Sequence, residues 1–118
     1  MNNKEIIFYK RENGKIPVHE FLDKLTKKHR IKALRSLQLL EEFGNELTEP
    51  DTKYIEDGIF ELRIRFASDI SRIFYFFWHE DKIVVTNGFV KKSQKLPASE
   101  LARAKRYKED YERRAEHE

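Results

Sequence analysis

The chain has 118 residues, enough for one domain and too few for two with separate cores. Cysteine is absent, which excludes a disulfide framework, a thiolate metal site and a cysteine nucleophile, and fits a reducing, cytoplasmic setting. Charged residues make up 38% of the chain, against roughly 25% in a typical domain, yet nine Phe, five Tyr and one Trp supply the aromatic material that disordered chains lack. Met1 to Lys10 is too short and too charged to read as a signal peptide. The longest apolar run, Ile73 to Trp78, is six residues, where a membrane-spanning helix needs roughly 20. The expectation is one domain over residues 1–118, with no membrane span.

Ile6 to Tyr9 form a short apolar run ended by Asn13-Gly14, which predicts a strand over about 4–11. Pro17 suits a first helical turn. Val18, Phe21, Leu22 and Leu25 follow at one-face spacing and predict a helix over 17–26. Ala33, Leu37 and Leu40, widened by Ile31, Leu34 and Phe43, predict a second helix over 27–43, stopped by Gly44-Asn45. The period then changes. Lys53 to Glu56 reads as a short strand closed by Asp57-Gly58. Phe60, Leu62, Ile64 and Phe66 alternate with Glu61, Arg63 and Arg65, the pattern of a half-buried strand. Ile70 to Trp78 is apolar on both parities and reads as a central strand covered on both faces. Ile83 to Val90 is a further strand, and a last, weakly amphipathic helix starts at Ala98 or Ser99. The order β-α-α-β-β-β-β-α predicts an α+β fold: a small antiparallel-rich sheet, the two N-terminal helices packed on one face, and a C-terminal helix leaning on the sheet or on a partner.

Charge locates the candidate chemistry. The net charge is +3, but Lys82 to Lys108 holds eight Lys/Arg against one Glu, a footprint for a polyanion or an acidic partner. Arg63 and Arg65 project from the same face of one strand, roughly 6–7 Å apart along the chain, and a phosphate matches their planar donors. The plain alternative is a solvated face with Glu61 neutralising one arginine. Arg72 lies between Ile70 and Phe74 on its own strand face, where an unpaired charge is costly. Both an ion pair with Asp69 or Glu61 and a positioned cation fit it. Lys91, Lys92 and Lys95 follow the last strand, where a meander would bring them beside the arginine strand. His19, His29, His79 and His117 read as surface residues without metal-ligand spacing, so neither a metal nor a cofactor is expected.

Taken in order, Pro17-Val18-His19-Glu20-Phe21-Leu22, then Glu61-Leu62-Arg63-Ile64-Arg65-Phe66, Arg72-Ile73-Phe74-Tyr75-Phe76, Gly88-Phe89-Val90-Lys91-Lys92 and Lys95-Leu96-Pro97 through Arg106 resemble the RelE/HigB-like toxins of the RelE/ParE superfamily. More closely they resemble the branch also described as phage-derived proteins, and the resemblance runs from about residue 5 to 110. It implies the toxin of a type II toxin–antitoxin system: a metal-independent endoribonuclease, or mRNA interferase, that cleaves mRNA on the ribosome by attack of the RNA 2′-OH and so inhibits translation. It places the catalytic set on Arg63, Arg65, Arg72 and Lys92, with RNA contacts from Lys91, Lys95 and Asn87. Many relatives carry His where Asn87 stands, and Asn cannot serve as a general base. The implied partners are the ribosome with its mRNA and a cognate antitoxin, usually a helix-turn-helix protein of the HigA type, through which alone operator DNA is met. Two alternatives stand beside this reading: a ParE-like toxin acting on DNA gyrase, and a non-catalytic phage-derived protein that binds nucleic acid or a partner.

Overall fold

A computed structural model describes residues 4–91 and 96–117. The elements are β1 (Glu5–Phe8), α1 (Pro17–Asp23), α2 (Lys27–Phe43), a 3-10 turn (Gly44–Glu46), β2 (Thr52–Glu56), β3 (Ile59–Phe66), β4 (Asp69–Trp78), β5 (Lys82–Lys91) and α3 (Ala98–Glu116). The fold is α+β in the predicted order, including the short β2. Two ends differ from expectation. β1 is half as long as predicted, because after Tyr9 the chain closes a turn in which Arg11 N donates to Lys15 O at 2.8 Å. α1 stops at Asp23, short of 26. Arg30 there takes up the loose carbonyls, Nε donating to Leu22 O at 2.9 Å and Nη2 to Leu25 O at 3.1 Å. Thr26 is thereby freed to cap α2, its Oγ1 accepting from His29 N.

The five strands form one sheet in the order β1-β5-β4-β3-β2. β2 to β5 are an antiparallel meander, and β1 adds parallel to β5, with Glu5 opposite Lys82 and Phe8 opposite Val85. Asp57 and Gly58, both at positive φ, make the tight β2–β3 turn. α1 and α2 cover one face. Val18, Phe21, Leu22, Ala33, Leu37 and Leu40 bury against Leu62, Ile64, Ile73, Tyr75, Ile83 and Val85, each large side chain contributing roughly 1.5–3 kcal/mol. His29 belongs to this core, contrary to its reading as a surface residue. Its Nε2 lies 2.8 Å from Ser71 Oγ and its ring stacks on Phe66. α3 takes the opposite face, with Tyr107 on Tyr9, Phe76 and Val84 and Ala104 on Ile59, Phe74 and Phe89. Its weak amphipathicity therefore leans on the sheet. No helix among the described residues is long and apolar enough to cross a membrane.

α1 sits unusually close to the sheet at Gly88. A Cβ built there would lie 2.6 Å from Phe21 Cδ2 and 2.9 Å from Phe21 Cγ, inside any tolerable contact. Gly88→Ala is expected to destabilise the chain by about 1–3 kcal/mol through overpacking, read as a lowered Tm. Combined with Phe21→Leu, the loss should be smaller than the sum of the two single losses, because the clash and the ring are one interaction.

Candidate functional site

Strand pairing gathers the predicted basic residues on the face that α3 shares. Arg63 is directly opposite Arg72 across β3 and β4, and Arg65 is opposite Ile70. Ile70 is in turn opposite Lys91 of β5, and Arg72 opposite Phe89. Arg65, Ile70 and Lys91 thus stand in one row at the strand ends, with Arg63 and Arg72 in the next. Opposed residues on adjacent strands hold their Cβ atoms roughly 4.5–5.5 Å apart, so two guanidinium groups are forced together. Lys53 joins them from β2, opposite Glu61.

Glu61 makes this arrangement possible. It is 2% exposed, its Oε1 accepts from Arg63 Nε at 3.1 Å, and the same oxygen accepts from Arg72 Nη1. One carboxylate oxygen therefore bridges two arginines. Of the two readings of Arg72, the ion pair with Glu61 is present. The residue is 6% exposed, and its buried Nε has no hydrogen-bond partner among the described residues. Arg63 is half-buried and Arg65 exposed, so these two present the donors that a ligand meets first.

Among the described residues, Lys53, Arg63, Arg65, Arg72 and Lys91 surround the buried carboxylate of Glu61. The field of the cluster is felt at Lys91. Burial and then the Arg72 charge lower the Lys91 ammonium below its ordinary value, Glu61 opposes this, and Arg63 and Lys53 add to the lowering. An ammonium so placed surrenders a proton more readily than a free lysine.

The other predicted residues fall elsewhere. Asn87 is 1% exposed, and its Nδ2 donates to both Glu100 O and Glu100 Oε1 at 3.2 Å. It braces β5 against α3 and does not join the cluster. Lys92 and Lys95 lie outside the described residues. The run from Lys82 to Lys108 is not one surface. Lys82 pairs with Asp81, Arg103 with Glu100, Lys105 with Glu56 and Asp57, and Lys108 with Glu112. Among its described cations Lys91 alone joins the arginine cluster. Lys53 was missed by the sequence reading, although its strand was identified. Among the described residues no group of three or more His, Asp or Glu could hold a metal ion.

A model of the family described as Phage derived protein Gp49-like (DUF891) matches residues 20–109. No curated protein gives a significant match.

Removing the bridging charge tests the geometry. Glu61→Gln leaves Arg63 and Arg72 apposed without a counter-charge and is expected to cost about 3–5 kcal/mol of stability, seen as a lower Tm. Inorganic phosphate should raise the Tm of this variant more than that of the wild type, since the anion replaces the missing carboxylate.

Proposed function

The chain belongs to the Gp49-like family of phage-derived proteins, and we propose that it is the toxin of a type II toxin–antitoxin system, an endoribonuclease that cleaves mRNA on the ribosome. One observation carries this reading: β3, β4 and β5 bring Arg63, Arg65, Arg72 and Lys91 to one patch around a single buried carboxylate. Such a patch suits a chain of phosphates, which cations hold by charge and guanidinium groups hold by paired donors.

The chemistry follows from the RNA itself. The 2′-OH attacks the adjacent phosphorus, and its proton leaves to water. The O2′–P bond forms and the P–O5′ bond breaks, giving a 2′,3′-cyclic phosphate and a 5′-OH. Negative charge grows on the phosphoryl oxygens and on the departing 5′-oxygen, and preorganised cations are most effective where charge develops. Arg63 and Arg65 contact the scissile and neighbouring phosphates. Arg72, fixed by Glu61, contributes its field from beneath, and the same carboxylate holds Arg63 beside it, so Arg72 and Glu61 are positioning residues. Lys91, with its lowered proton affinity, gives a proton to the 5′-oxygen. Docking on the ribosome supplies the alignment of 2′-OH and phosphate. The cognate antitoxin, expected to be of the HigA type, neutralises the chain and carries the operator contacts.

The test is brief induction in a host cell with mapping of new RNA 5′ ends. Translation arrest with mRNA breaks is the expected result. Exposed Arg65→Ala should fold normally and lower the cleavage rate by about 10²-fold. A 2′-deoxy nucleotide at the scissile position of an oligonucleotide should abolish cleavage. DNA breaks linked to gyrase would transfer the protein to the ParE-like class, and neither kind of break would leave it a binding protein.

A further inference from the structure

α2 shows two features that packing within the chain does not explain. The first is apolar surface on the wrong side. His29, Ala33, Leu37 and Leu40 make its buried row. Ile31, Leu34, Leu39 and Phe43 are each 40–46% exposed, and among the described residues the only other large apolar side chain so exposed is Tyr54. At 100° per residue Ile31 lies opposite the buried row, with Leu34 and Leu39 flanking it. Leu34 also borders a groove formed with Ile6, Phe8 and Leu37.

The second feature is the order of charges. Exposed Lys27, Lys28, Lys32 and Arg35 occupy the first half of the helix, and exposed Glu41 and Glu42 the second, followed by Glu46 in the 3-10 turn. None of these groups is in a salt bridge among the described residues. A helix is positive at its N-terminus and negative at its C-terminus, so both halves of α2 carry the charge that its own dipole disfavours.

We propose that α2 is the interface of a homodimer, in which a second copy of this chain lays its α2 antiparallel on the first. A two-fold axis puts each basic half on the acidic half of the other copy, and each helix dipole against its reverse. With the two-fold axis level with Ser36 and Leu37, Ile31 lies against the second copy's Glu42, and the basic half of each helix lies alongside the acidic end of the other. Arg35 then meets Gln38, so no like charges are directly apposed. Leu34 and Leu39 stand on the two edges of the patch, Arg35 and Gln38 cross at its middle beside Ile31, and opposite charges stand towards its two ends. α2 packs on the sheet face opposite to the arginine cluster, so pairing leaves both clusters open. The inference stands independently of the chemistry proposed for them.

The experiment is sedimentation of the full-length chain over a concentration series, at low and high salt, with circular dichroism to verify folding. The wild type should dimerise, more weakly at high salt. Leu34→Glu should abolish the dimer. Glu41→Lys with Glu42→Lys makes α2 wholly basic, and Lys28→Glu with Lys32→Glu makes it predominantly acidic. Each pair should weaken self-association by about tenfold or more, because apposed like charges cost at least a kcal/mol or so. Mixed together, the two charge variants should form a heterodimer tighter than either homodimer. A wild type that stays monomeric overturns the proposal and leaves the stripe to another protein. A dimer indifferent to Leu34→Glu and to the charge variants assigns the interface elsewhere. Failure of the mixture to pair overturns the antiparallel arrangement.

Discussion

The bridge from Glu61 to Arg63 and Arg72 is the constraint around which this molecule is organised. Antiparallel pairing of β3 and β4 puts two guanidinium groups face to face, which water would resist and a protein interior would forbid without a counter-charge. The buried carboxylate settles the conflict, and by its own position it fixes the other parts. Glu61 has to lie on the α3 face for the bridge to form, so Leu62 and Ile64 face α1 and α2. A slip of one residue would carry Glu61, Arg63 and Arg65 together into the aliphatic core and set Leu62 and Ile64 beside Arg72. The register of the central strands and the electrostatics of the site are thus one choice.

The two faces of the sheet divide the work. One is closed by α1 and α2 over an aliphatic core so tight that at Gly88 a backbone and an aromatic ring touch. The other is closed only in part, α3 sitting on Tyr9, Phe76 and Val84 while the ends of β3, β4 and β5 carry the cations. α3 is held there by charges of its own, through Lys105 to Glu56 and Asp57 and through Asp110, which accepts from Tyr9, Arg113 and Arg114. Its dense charge pattern is a tether to the sheet as much as a surface.

Much of this was legible in the sequence, and the reasons are local. Strand parity alone placed Arg63 and Arg65 outside the aliphatic core, and the polar position of Arg72 in an apolar strand marked it for a partner. What failed depended on pairing between segments. Lys53 was missed because β2 carries a register shift between Tyr54 and Glu56. An unbroken hairpin through Asp57-Gly58 would set Tyr54, not Lys53, opposite Glu61. The charge run from Lys82 to Lys108 read as one surface because it is contiguous in sequence, but a strand and a helix intervene and send its members to different neighbours. Asn87 was assigned by its place in a motif. Its place beneath α3 depends on the irregularity where β4 and β5 pair, between Ile73 and Tyr75, which nothing in the local pattern announces.

The parallel pairing of β1 with β5 has a consequence for how the chain assembles. The cluster draws on residues 53–91 and is built by successive hairpins, each closed by a short loop. β1 cannot dock until β5 exists, since Glu5 waits for Lys82, and the entropy of closing so long a loop comes due before any contact repays it. During synthesis β1 therefore leaves the ribosome before the other four strands of the sheet and docks after them. From the completion of β5 until β1 docks, the sheet margin at β5 and the apolar groove under α2 are open together, and the cationic patch is already formed before the molecule that carries it is complete.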